Sequence, residues 1–266
     1  RFDGQKLKLS YPLHESIVVR IYDHAGKISL NRIPRRNMQL LIEKRLGGQD
    51  ADPEKVQDLL SAWTDWTDLN DLEGLNGAER DYYENIGNGY LPRNNPELDT
   101  IEEILHIRGF SELFEGVNLQ AAFTIYGTTR TVNLNLATRE AMELLPGLDD
   151  ELIENIIAYR QIEDINNRAE IAEIVPLEQL QELSPWVGNA TSSFYSIYAY
   201  LSIASPQEEN NTDSGILETD LTQQAYMEII EVSNSDELPK ILRVDPYGQL
   251  PDTASAKVLE ENYLFD

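Results

Sequence analysis

Apolar and polar positions first alternate with a period of two. Ile17, Val19 and Ile21 alternate with Val18, Arg20 and Tyr22, the pattern of a strand with one buried face. Asp23-His-Ala-Gly26 reads as a turn and Lys27-Ile-Ser-Leu-Asn31 as a returning strand. After Pro34 the period lengthens. Met38, Leu41, Ile42 and Arg45 predict a helix closed by Gly47-Gly48. Asp52-Pro53 opens a second helix, a cap followed by proline at the first helical position, with Val56, Leu59, Leu60 and Trp63 on one face. Thr100-Ile-Glu-Glu103 has the form of a capping box, with Ile101, Ile104 and Leu105 facing inward and Gly109 closing the helix. Thr138 caps a further helix bearing Met142, Leu144 and Leu145. Pro146-Gly147 breaks it, and Asp149 or Asp150 caps the next, which carries Leu152, Ile153, Ile156, Ile157 and Tyr159.

From Ser193 the period returns to two. Tyr195, Ile197, Ala199, Leu201 and Ile203 alternate with Phe194, Ser196, Tyr198, Tyr200 and Ser202, predicting a long amphipathic strand whose polar face is lined with tyrosines. Residues 205–222 carry five acids and no basic residue and read as a loop. Residues 225–232 and 240–244 are two more strands, and the tail is polar apart from Val258, Leu259 and Tyr263-Leu-Phe265. Strands, a helical block and strands again imply an α+β fold in which one sheet is interrupted by an insertion. Residues 1–33 and 188–246 form the discontinuous β domain, 34–187 the inserted α-helical domain and 247–266 a C-terminal tail. Such an insertion costs little if its ends meet, because loop-closure entropy grows only logarithmically.

Charge narrows the function classes. A net charge of −26 over 266 residues argues against a polyanion partner, which needs clustered Lys and Arg. The two helices joined by Leu145-Pro-Gly-Leu148 have a helix-hairpin-helix pattern, which in other proteins grips DNA phosphate. Here Asp149 and Asp150 stand where a phosphate would come, and no lysine lies between Thr138 and Ser184. Packing is the better reading. The absence of cysteine excludes disulfide and thiol chemistry. No run of about 18 apolar residues offers a membrane span, and a chain beginning at Arg1 is read as a fragment of a longer protein. His14, His24 and His106 lie in separate segments without metal-ligand spacing, and His14 and His24 read as surface strand or turn residues. No nucleophile, phosphate-loop or zinc-protease motif occurs. The expectation is not an enzyme.

The stretch from Leu60 to Tyr83 holds the candidate chemistry. Asp65, Asp68, Asn70, Asp71, Glu73, Asn76, Glu79 and Asp81 supply hard oxygen atoms within seventeen residues, anchored by Trp63, Trp66, Tyr82 and Tyr83. Converging carboxylates repel unless a cation neutralises them, and calcium accepts six to eight such oxygens in irregular geometry. From Asp68 the spacing partly follows a twelve-residue EF-hand loop, with Asn70 third, Asn76 ninth and Glu79 last. It departs from one at Leu72 and Glu73. The expectation is a calcium loop that is not an EF-hand, with Asp65, Asp68, Asn70, Asp71, Asn76, Glu79 and Asp81 as ligands. A solvated acidic loop between two helices is the competing reading.

Three motifs carry a family resemblance. Asp65-Trp-Thr-Asp68 is followed by Gly77-Ala-Glu-Arg-Asp-Tyr-Tyr83 and Asn94-Asn-Pro96. Asp23-His-Ala-Gly-Lys-Ile-Ser-Leu-Asn31 precedes them, and Val132-Asn-Leu-Asn-Leu-Ala137 with Leu145-Pro-Gly147 follows. Together they resemble, in order, the K-type minor pseudopilins of type II secretion systems. Ser29 and Leu136 depart from the usual asparagine and threonine, and Arg80 replaces an acid, which bears on the number of ions bound. The resemblance implies a pilin-like antiparallel sheet carrying a helical insert that binds calcium near these acids. It also implies a place at the tip of a periplasmic pseudopilus with the I- and J-type minor pseudopilins, on the periplasmic face of the inner membrane. The anchor would be an N-terminal hydrophobic helix absent from this chain. The competing functions are a helix-hairpin-helix DNA-binding protein of competence type and a calcium-binding adhesion module.

Overall fold

The computed structural model describes residues 1–8, 14, 16–87, 89–93, 95–201, 224–233 and 237–252. The expected loop at 205–222, the apolar tail positions, Ser202, Ile203 and Asn94 lie outside these residues. Strands β1 (Asp3–Lys6), β2 (Ile17–Asp23), β5 (Phe194–Leu201), β6 (Gln224–Glu231) and β7 (Lys240–Gln249) form one antiparallel sheet in the order β1-β2-β5-β6-β7. The strands flanking the helical block thus meet directly: Val19 pairs with Ala199 and Ile21 with Ile197. β1 carried no alternation strong enough to predict it, and β7 runs past the expected end at 244.

Between β2 and β5 lie β3 (Ile28–Ser29), α1 (Arg35–Arg45), α2 (Pro53–Thr67), α3 (Arg80–Ile86), α4 (Phe110–Leu113), α5 (Leu119–Ala122) and β4 (Phe123–Thr124). They are followed by α6 (Arg139–Glu143), α7 (Asp150–Arg160), α8 (Arg168–Ile174) and α9 (Leu177–Leu183). The caps read from sequence hold at three helices. Asp52 accepts from the Glu54 amide at 3.0 Å, Thr138 from Ala141 at 3.2 Å and Asp149 from Leu152 at 2.9 Å. Met38, Leu41 and Ile42 of α1 are buried in one apolar cluster with Leu60 and Trp63 of α2, Ile104, Phe110 and Trp186. A smaller cluster of Tyr22, Tyr198, Ala225, Met227 and Ile229 joins the sheet to Tyr126.

Four expectations are corrected. Residues 27–31 do not return beside β2. Ile28 and Ser29 pair in parallel with Phe123 and Thr124, so the block at 34–187 is not wholly helical and is tied by this pairing to the segment before it. The tyrosine-bearing face of β5 is the inner one. Ser196 and Tyr198 are buried, Tyr126 stacks on Phe194 at 5.7 Å, and Arg20 donates to the Tyr200 hydroxyl at 2.9 Å. Leu201, on the alternate face, is 64% exposed. Alternation separates two faces, but when both carry apolar bulk only the partner decides which is covered. Third, residues 101–106 form a 3-10 helix in which Thr100 makes no side-chain cap, whereas Glu103 accepts from the Asp99 amide at 2.9 Å and from Trp66 Nε1 at 3.0 Å. The acid is drawn to tertiary partners. Last, His24 is buried, with Nδ1 2.7 Å from Thr124 Oγ1 and Nε2 2.8 Å from Ser196 Oγ.

The motif asparagines hold loops by their backbones. Asn31 donates to Leu98 and Ile125 carbonyls and accepts from the Leu98 amide, and Asn135 makes a reciprocal pair with Ile165. Lys27 is buried beside His24, donating to the Gln120 carbonyl at 2.7 Å and to Ser196 Oγ at 2.9 Å. Burial lowers its pKa to about 7 from 10.5, partly opposed by the Glu140 carboxylate. The folded state therefore binds fewer protons than the unfolded one over this range, and the penalty is complete below about pH 7 and relieved toward 10.5. Thermal stability should rise from about pH 8 to about 9.5, and the rise should vanish in Lys27→Met. Parallel slopes in the two proteins would show that Lys27 stays charged.

Candidate metal centre

Helix α2 buries one charged position in its last turn, where Trp63 and Trp66 anchor its apolar face and Thr64 and Thr67 are half-buried. Trp63 stacks on Phe110 at 5.9 Å and Trp66 meets Tyr83 edge-on at 4.9 Å. That position is Asp65, 4% exposed, and the chain after α2 wraps around it. Asp65 Oδ2 accepts from the Gly74 amide at 3.1 Å and the Ala78 amide at 2.9 Å. Gly74 and Gly77 make the wrap possible. A Cβ at Gly77 would stand 1.7 Å from Asp65 Oδ2, and one at Gly74 2.9 Å from Oδ1.

The wrap brings three acids together. One oxygen each from Asp65, Asp68 and Glu79 lie within 4.8 Å of one another. Glu79, immediately before α3, is 4% exposed, and neither carboxylate oxygen has a hydrogen-bond partner among the described residues. Its pKa is pushed up to about 7, first by burial and then by the charges of Asp65 and Asp68, with a further contribution from Asp71. An unpartnered buried carboxylate beside two others is costly as protein alone. The residues fit a hard divalent cation, which would take carboxylate oxygens and cancel the repulsion.

The remaining expected ligands are placed differently. Asp71 lies outside the triad, is exposed, and pairs with Arg80 at 3.8 Å. Asp81 is exposed in the first turn of α3 and also outside the triad. Asp68 Oδ1 accepts from the Asn70 amide and Asn70 Oδ1 from the Leu72 amide, both at 2.9 Å. Asn76 is exposed and turns the chain at φ 58°.

Arg108, which no local pattern marks, clamps the far side of the loop. Its guanidinium donates to the carbonyls of Asn76 and Gly77, the latter at 2.8 Å, and lies 5.3 Å from the Tyr82 ring centre. Its own amide donates to the Tyr83 hydroxyl at 3.1 Å. The only sequence hint to this closure was the Gly77-Ala-Glu79 motif.

Residues 27–114 match the sequence profile of the family described as type II secretion system (T2SS), protein K. Over that segment the chain is similar to the protein K family. The match covers about a third of the chain and contains the whole centre, from Asp65 to Arg108. It supports a role in type II secretion and a K-type pseudopilin, and gives no support to DNA binding or adhesion. A search of curated proteins finds no match to the chain. Among the described residues, no helix is long and apolar enough to cross a membrane.

Proposed function

We propose that the chain is a non-enzymatic minor pseudopilin of a type II secretion system, acting on the periplasmic face of the inner membrane. It sits at the tip of the pseudopilus and starts or caps the fibre with the I- and J-type minor pseudopilins, and its loop binds calcium. The observation that carries this reading is the coincidence of the protein K match with a triad of carboxylates holding an unpartnered buried Glu79. Asp65, Asp68 and Glu79 are the inner ligands, with Asp71, Asn70, Asn76 and Asp81 as the outer set. The five-stranded antiparallel sheet is read as the pilin-like part. The helical block it carries is bulky enough to stop a further subunit adding above it. Asp149 already accepts from the Leu152 amide in the first turn of α7 and places a carboxylate there, which argues against phosphate binding at the hairpin.

Capture of the I- and J-type proteins by the immobilised chain tests the assembly reading. Ile197 stands on the outer sheet face, paired across strands with Ile21 and Glu228. Ile197→Asp should weaken capture at least about tenfold, since it removes an apolar anchor and sets a second carboxylate beside Glu228. Asp150→Asn should leave it unchanged. Equal capture by both variants would place the contact elsewhere, and no capture by the wild type would sink the reading.

A further inference from the structure

We infer that the loop carrying the carboxylates is also a docking surface, and that its occupant is a protein segment with an apolar face flanked by lysines or arginines. The inference rests on the cation reading for the loop's closed form and on separate observations for its contact chemistry. Leu69, Leu72 and Leu75 are 72%, 79% and 85% exposed. Three leucines facing water within seven residues is a concentration that a solvated loop does not need.

The loop does not hide them, because polar clamps fix its backbone. Asp68 and Asn70 side chains take the amides of Asn70 and Leu72, Asp65 takes those of Gly74 and Ala78, and Arg108 takes the carbonyls of Asn76 and Gly77. A segment pinned on both sides of each leucine loses little further freedom on docking, which favours binding. Charge selects the occupant. Outside the triad, Asp71, Glu73, Asp81 and Glu84 are exposed in and just after the loop, and Arg80 stands against two of them, Asp71 and Glu84. The surface is therefore apolar within an acidic surround, on a chain of net charge −26. It attracts a basic flank and repels an anionic lipid surface.

The test uses the full chain and a synthetic amphipathic peptide with leucines along one helical face and lysines along the other. A scrambled peptide of identical composition controls for charge alone. With calcium, the wild type should bind the amphipathic peptide at least tenfold more tightly than the scrambled one. The triple variant Leu69→Ser, Leu72→Ser, Leu75→Ser should lose that preference while melting like the wild type. A variant that keeps the full preference overturns the proposal. So does leucine-dependent binding to vesicles of anionic phospholipid in place of the peptide. If calcium leaves the wild-type melting temperature unchanged while the leucine dependence persists, the cation reading fails and the docking surface stands.

Discussion

Calcium at a hundred times its dissociation constant is expected to stabilise the chain by about 2.7 kcal/mol at pH 8, a rise of roughly 5–10 °C in melting temperature for a chain of this size. The reason is local. Folding gathers Asp65, Asp68 and Glu79 and leaves both Glu79 oxygens buried without a partner, and a cation that binds only this arrangement removes the penalty. Magnesium, which demands near-ideal octahedral geometry and keeps its waters, should do much less.

The pH dependence follows in sign. Glu79 titrates near 7 when folded against an ordinary 4.5, so without cation its contribution is full below pH 4.5 and lost as pH rises through 7. Calcium binds the ionised form, so its increment should grow over that same interval and be small at about pH 5. Glu79→Gln should then cross the wild type: more stable in chelator at pH 8, because one of three repelling charges is gone, and less stable in calcium. Identical melting of the wild type in calcium and in chelator at pH 8 would reduce the triad to an acidic surface.

What the sequence made legible was local. Period-two runs at 17–23 and 194–201 and the caps at Asp52, Thr138 and Asp149 are set by residues a few positions apart. What stayed hidden depends on distant partners. Nothing near Ser196 or Tyr198 says that the helical block lies over them rather than over Ile197 and Ala199. Thr100 and Glu103 satisfy the capping-box spacing, yet Trp66 and Arg93 claim the acid. At the centre, Asp65, Asp68 and Glu79 stood among the expected ligands, but nothing in the spacing separated them from Asp71 and Asp81. That division is made by Gly74 and Gly77, which let the chain close on Asp65, by Arg80, which takes Asp71, and by Arg108, which reaches the loop from residues well beyond it.

The joint between sheet and helical block should tolerate no side chain at Gly26. Here β2 leaves the sheet through the turn His24–Gly26, and the turn is fixed from several sides. Asp23 accepts from the Ala25 amide at 2.8 Å and from the Ser192 hydroxyl at 2.7 Å, and the Ala25 carbonyl accepts from the Asn133 amide at 2.8 Å. A Cβ on Gly26 would stand 2.1 Å from the Leu136 carbonyl oxygen and 2.9 Å from the Ala137 amide. These are backbone atoms in a segment that Asn133 ties to the Ala190 carbonyl and Asn135 ties to Ile165, so no flexible tip can swing aside. Gly26→Ala should cost at least about 3 kcal/mol, the upper part of the range for overpacking a rigid interior. Gly47→Ala is the control. Its φ is 107° and nothing lies within 4 Å of the added carbon, so it should cost only the left-handed backbone strain of about 1–2 kcal/mol. Denaturant midpoints of the two variants decide the matter: a Gly26→Ala loss no larger than that of Gly47→Ala would mean that the turn and the 132–137 segment are not packed against each other.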